Sequence, residues 1–286
     1  MSKFQLYCGI TRGNKWYNHA IVKPLTGGVI AMLDGAEKTG AARLLNLIKG
    51  TVSSFFTEDN EEYVLKPQDY EDIKVIDTWK IGYENIKLKT GETHPIIPES
   101  FYCNRCSRPK MEQYTDVNES WQTLIDTGII DEIFLRNSDV TFDVELPDPI
   151  DIQSNKTMAG GVFKTITMQH ISIGDMLKIH RSQWAMASEA NMIRACWDAS
   201  IVKIHGMSEV DFNRIKRVPE KSFSGTYLNT QANQDAAEEA MAANLVGIDA
   251  RDRVVYCKIC GNEIRDGLDY TNFFLPLLPK KSNHVR

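Results

Sequence analysis

No run of about 18 uncharged apolar residues, the length that a bilayer-spanning helix requires, occurs in the 286-residue sequence. The first residues, MSKFQLYCGITRGNKWYN, carry no apolar core of the kind that marks a secretory signal. Together these absences set the expectation of a soluble chain made in the cytoplasm, with no membrane partner. A basic excess is missing too: 33 Lys and Arg stand against 38 Asp and Glu, a formal charge of −5. Nucleic-acid affinity rests largely on neutralised phosphates, so this balance argues against nucleic acid as the principal partner. The signatures G-x-x-x-x-G-K-[ST], G-x-G-x-x-G, H-E-x-x-H and G-x-S-x-G are absent, and no other catalytic constellation stands out, so the chain reads as non-enzymatic. The acidic run Glu58-Asp59-Asn60-Glu61-Glu62 lacks the central glycine and spaced oxygens of a calcium loop and reads as a solvated turn.

Cysteine is sparse, at six residues, yet four of the six fall in two CxxC pairs: Cys103 and Cys106 in YCNRCSRP, Cys257 and Cys260 in YCKICGNE. In a reducing compartment, thiols at such spacing point to metal binding or redox chemistry rather than to a disulfide framework. Cys257 follows the β-prone run Arg253-Val254-Val255-Tyr256, and Gly261-Asn262 follows Cys260. A strand delivering the first sulfur and a tight turn closing behind the second is the pattern of a zinc knuckle. The first copy has Ser107-Arg108-Pro109 in place of Gly-Asn, and Pro109 prevents a helix from starting there. Structural zinc requires four ligands, and each knuckle supplies two. His19, His94, His170, His180, His205 and His284 form no H-x₃₋₅-H pair behind either knuckle. Three arrangements remain: one zinc shared by Cys103, Cys106, Cys257 and Cys260, two separate knuckles, or two redox pairs. The shared site is the simplest because it completes the shell. Cys8 in LYCGI and Cys196 in NMIRACWDA are expected to be inert buried thiols, and His180 an exposed or hydrogen-bonded helical residue.

Apolar residues at helical spacing predict helices over 41–56, 69–88, 172–202 and 234–245, the third opened by a capping box of Ser172 and Asp175. Alternation of Val140, Phe142, Val144 and Leu146 predicts a strand that Pro147 and Pro149 end. The stretch LPDPIDIQSNKTMAGG mixes prolines, polar residues and a glycine pair and is expected to separate two halves, 1–150 and 151–286. Each half runs through an extended stretch, a striped helix, a polar insertion and a further helix to a Tyr-Cys-x-x-Cys. This order predicts an α+β fold of two similar halves, a divergent internal duplication in which helices pack on a small antiparallel sheet beside a knuckle. The apolar ending Asp269–Lys281 contains Pro276 and Pro279, so it must pack as a non-helical strap on its own chain or on a neighbouring subunit.

The early segment with Pro24-Leu25-Thr26-Gly27, the helix leading through Ile73 to Ile86 toward a CxxC, and Phe142-Asp143-Val144-Glu145-Leu146-Pro147 carry a family likeness. So do Gly247-Ile248-Asp249, the Cys257-Lys258-Ile259-Cys260-Gly261 knuckle and Phe273-Phe274-Leu275-Pro276. With these the sequence resembles the zinc-ribbon proteins of the baseplate hub in contractile-tailed bacteriophages, related to the T-even phage baseplate proteins. The resemblance implies a virion component or assembly factor without chemistry of its own. Its partners would be other tail and baseplate hub proteins and the tape-measure protein, and its zinc would be structural. A tail-assembly chaperone that binds the tape measure and leaves before completion is the alternative within the family. A zinc-ribbon adaptor for nucleic acid is the alternative outside it.

Overall fold

The structure, a computed structural model, describes residues 3–24, 26, 40–90, 131–154, 160–216, 222–249, 254–256, 260–261 and 263–265. The chain divides into two compact units that interleave along the sequence: Met1–Leu65, Ile76–Phe134 and Val246–Arg286 in one, Lys66–Val75 and Leu135–Leu245 in the other. Helices and small antiparallel sheets make up both, an α+β architecture as expected from the sequence. Residue 150 lies inside a strand of the second unit.

In the first unit, β1 (Lys3–Arg12) and β2 (Lys15–Ile21) form a hairpin. Helix α1 (Gly40–Thr51) then leads to β3 (Ser54–Phe56) and β4 (Glu62–Val64), giving the antiparallel order β1-β2-β3-β4. The expected helix over 41–56 stops early because Phe55 and Phe56 pair with Ala20 and His19. Leu6, Ala20, Ile48, Val52 and Phe55 are fully buried or nearly so. The acidic run forms the β3–β4 turn, where Asn60 takes a positive φ of 67° and Lys15 holds Glu61 at 2.6 Å. It is a solvated turn, as its composition predicts.

Helices α2 (Asp69–Asp72) and α3 (Val75–Thr90) replace the single helix expected over 69–88. Tertiary pairing interrupts it: Ile173 N donates to Ile73 O at 2.9 Å and Val75 N donates to Ile171 O at 3.0 Å, so the backbone at 73–75 serves a β-bridge instead of the helix ladder.

Strand β5 (Asp131–Ile133) belongs to the first unit, and the second is built on β6 (Thr141–Ile152), β7 (Gly161–Gln169) and β8 (Ile201–Ile204), in that order and all antiparallel. Val144, Leu146, Ile150 and Ile152 of β6 line the core with Ile166, Met168, Ile201 and Ile204. The segment expected to be one helix over 172–202 is α4 (Ile173–Arg181), a 3₁₀ turn (Ala185–Ala187), α5 (Glu189–Ser200) and then β8. Serines punctuate it. Ser172 and Asp175 form the expected capping box, Ser182 Oγ accepts from Ala185 N, and Ser188 Oγ accepts from Asn191 N. Short helices α6 (Glu209–Lys216) and α7 (Phe223–Tyr227) precede α8 (Gln231–Ala243), whose N-cap is Thr230. Asp198 caps α7 by accepting from Phe223 N at 3.0 Å and Ser224 N at 2.7 Å.

Pro147 and Pro149 do not end β6. They sit where the β6–β7 register shifts between Glu145 and Ile150, and a side chain stands in for the missing strand partner. Asp148 N donates to Asn233 Oδ1 at 3.0 Å, and Asn233 Nδ2 donates to Asp148 O at 2.9 Å. Asn233 is 1% exposed. Asn233→Ala leaves both backbone groups without these partners in a buried setting and is expected to cost about 2–3 kcal/mol, read as a lower urea midpoint at unchanged slope.

Candidate metal centre

Val254, Val255 and Tyr256 favour extended backbone, and as β10 (Val254–Tyr256) they pair with β11 (Glu263–Arg265) in the register Val254↔Arg265, Val255↔Ile264, Tyr256↔Glu263. Residues 257–262 link the two strands in the sequence, and of them Cys260 and Gly261 are described. Gly261 has φ +64°, and a Cβ there would meet no atom within 4 Å. Left-handed backbone, not crowding, is therefore what favours glycine after the second sulfur. Cys260 is partly buried beside it. A strand ahead of the CxxC and a left-handed glycine after its second cysteine are what the sequence pattern of a zinc knuckle calls for, and thiolates are the ligand type that zinc prefers.

A second pairing bears on the first CxxC. Strands β5 (Asp131–Ile133) and β9 (Gly247–Asp249) are antiparallel, with Asp131↔Asp249, Glu132↔Ile248 and Ile133↔Gly247. The chain arriving from Cys106 enters β5 at Asp131, and the chain leaving toward Cys257 exits β9 at Asp249, directly opposite. Residues 107–130 and 250–256 thus separate the two CxxC pairs by way of the strand pairing, in place of residues 107–256 along the chain. Closing a loop of about 30 residues rather than about 150 lowers the entropic cost of a shared site by ~1.4 kcal/mol.

Of the four expected ligands, Cys260 lies in the described hairpin, whereas Cys103, Cys106 and Cys257 lie outside the described residues. Among the described residues no group of three or more His, Cys, Asp or Glu side chains is placed to hold a metal ion. Of the other thiols, Cys8 is buried as expected, whereas Cys196 is only partly buried. Cys8 is buried in β1, and its carbonyl accepts from Trp16 Nε1 at 2.8 Å. Burial pushes the Cys196 thiol on α5 up from its ordinary range. His180 lies on α4, where burial pushes its imidazole down.

Two polar clusters are not evident from the sequence. On the solvent-facing side of β6–β8, Thr167 Oγ1 donates to Asp143 Oδ1 at 2.6 Å and His205 Nε2 lies 3.1 Å from the same oxygen. The Thr167 bond holds the Asp143 carboxyl below its ordinary range, and Thr167 Oγ1 also lies 2.9 Å from His205 Nε2. In the first unit, Glu132 Oε1 accepts from Tyr7 Oη at 2.6 Å and from Lys80 Nζ at 2.7 Å, with Glu84 3.9 Å from the same ammonium. Lys80 Nζ lies 5.7 Å from the centre of the Tyr7 ring and 5.8 Å from that of Phe134, and the two rings are 5.0 Å apart. The i,i+4 spacing of Lys80 and Glu84 on α3 is legible in the sequence; the contribution of Glu132 depends on the fold.

No family model, curated protein or solved structure matches the chain.

Proposed function

We propose that the chain is a non-enzymatic structural or assembly subunit of a contractile phage tail baseplate hub, held together by one structural zinc on Cys103, Cys106, Cys257 and Cys260. The carrying observation is the β5–β9 pairing, in which the chain enters at Asp131 and leaves opposite at Asp249, and this supports a short path between the two CxxC pairs. Four thiolates fill a tetrahedral shell and leave no position for water or substrate, which supports a structural ion over a catalytic one. The phage assignment draws on the family resemblance: Phe142–Pro147 lies in β6, Gly247-Ile248-Asp249 is β9, and α8 precedes it. A divergent duplication with one knuckle per half belongs to the same proposal.

Mass spectrometry of a purified particle from the phage encoding this chain tests the assignment. Peptides at a fixed ratio to the hub subunits are expected. Their absence from particles, with the chain instead co-purifying with the tape-measure protein before assembly, would identify a chaperone and overturn the virion reading.

A further inference from the structure

His170 follows the last residue of β7, at a place where the second unit gathers three stretches of its chain. Its ring lies against Phe142 of β6, with centroids 6.1 Å apart and planes inclined at 56°. It is also hydrogen-bonded to the backbone of Asn244, the C-cap of α8. This bond raises the basicity of the ring, so the imidazole N–H donates and the carbonyl accepts, satisfying an acceptor at a helix end where carbonyls lack partners within the helix. On the third stretch, Lys74 Nζ donates to Gln169 Oε1 at 3.1 Å, and Lys74 forms a β-bridge with Ser172. Both outer stretches stop where the chain leaves the unit, after Val75 and after Leu245. Lys74 and Asn244 each stand one residue before such an exit.

We propose that His170 is a pH-sensitive latch that fastens the second unit at these two exits while its ring is neutral and releases them when the ring takes a proton. A proton here places a cation in a partly buried setting beside Lys74, itself only 7% exposed. Burial first and the Lys74 ammonium second hold the imidazole below the ordinary histidine range, and the Asn244 bond opposes them. The carboxylates on the surrounding elements are engaged elsewhere or exposed. Asp143 on β6 is held by Thr167 and His205, and Asp175 by the capping box with Ser172. Glu71 and Asp72 beside Lys74, and Glu238 and Glu239 on α8, are exposed to water. A ring held down in the fold binds its proton more tightly once released. The latch is therefore complete above the ordinary histidine value of about 6.5 and weakens as the pH falls below it. The protonated ring turns out to water, gives up Phe142 and the Asn244 carbonyl, and leaves the end of α8 to fray. None of this depends on the zinc reading.

The test uses the full chain, with the His170 ring titrated by NMR and amide exchange followed at two sites. These are Asn244, whose N donates to Ala240 O at 3.0 Å, and Val75, whose N donates to Ile171 O at 3.0 Å. Protection at both, corrected for the intrinsic pH dependence of exchange, should fall several-fold between about pH 8 and about pH 5, the range in which histidine changes charge. The Asp148 amide, held by Asn233, should keep its protection, which separates release of the latch from unfolding of the unit. His170→Gln keeps a side-chain donor for the Asn244 carbonyl and cannot titrate, so its protection should stay level across the same range. Lys74→Gln removes the neighbouring cation and should move the His170 titration to higher pH. His180→Gln, at a histidine on α4 that burial also holds down, should leave the pH dependence as it is. Protection that is level with pH in the unaltered chain, or that falls equally in His170→Gln, would overturn the latch. If His170→Gln does not fold, the titration decides: a ring that takes its proton at or above the ordinary histidine value, or one that Lys74→Gln leaves unmoved, would overturn it in the same way.

Discussion

Replacing Asp77 with alanine is expected to cost about 3–5 kcal/mol, the range found when one partner of a buried charged contact is removed. In β1 the register with β2 shifts between Gln5 and Ile10, and Cys8 and Gly9 fall within that shift. Asp77, 0% exposed in the first turn of α3, accepts from both amides: Cys8 N donates to Oδ1 at 2.9 Å and Gly9 N donates to Oδ2 at 2.8 Å. The helix N-terminus favours an anion at this position, and bonds from amides to an ionised carboxylate are the stronger kind. Alanine would strand both donors in the core. Asp77→Asn keeps one acceptor oxygen but turns an NH₂ toward a donor, so it should recover less than half of the loss. Urea denaturation with amide exchange at Cys8 and Gly9 checks this. A loss under about 1 kcal/mol with both amides still protected would show that the bulge does not depend on the carboxylate.

If the proposed zinc is bound, removing it should have an effect at least as large. Structural zinc sites contribute roughly 10–16 kcal/mol of apparent binding free energy in small peptides, comparable to the whole folding margin of a domain, about 5–15 kcal/mol. The β10–β11 hairpin has strands of three residues and would be marginal by itself. Chelation at neutral pH is therefore expected to lower the unfolding midpoint of the first unit and to expose the amides of Val254–Tyr256 to exchange. The Asn233–Asp148 pair in the second unit should keep its protection. Acidification should reproduce the effect, since protons compete with zinc for thiolates. Retained protection of the hairpin after full chelation would mean that no metal supports it.

The α+β class, the helix over α8, the capping box of Ser172 with Asp175, the burial of Cys8 and the solvated 58–62 turn were legible in the sequence because each rests on local chemistry: period, cap or charge. The breaks in the long helices were not. At Ile73 and Val75 a β-bridge to Ile171 and Ile173 outcompetes helix continuation, and no local residue marks that partner. The path of β6 through Pro147 and Pro149 depends on Asn233, 85 positions away. Leu146–Ile152 and Gly161, read as a boundary by composition, belong to paired strands of one unit. For the candidate site, the hairpin turn of Cys260-Gly261 followed from the residues themselves. The pairing of β5 with β9, and the tie from Glu132 to Tyr7 and Lys80, join segments too far apart for any periodicity to connect.

Elemental analysis of the purified chain and its cysteine variants tests the shared site most directly. The account predicts about one zinc per chain, consistent with the four-ligand shell of a structural site, falling to near zero in Cys103→Ser and equally in Cys257→Ser, with the double variant no lower. Two zinc ions falling to one in each single variant would show two separate sites, and a chain without zinc whose thiols cycle with reductant would show redox pairs; either result would contradict it.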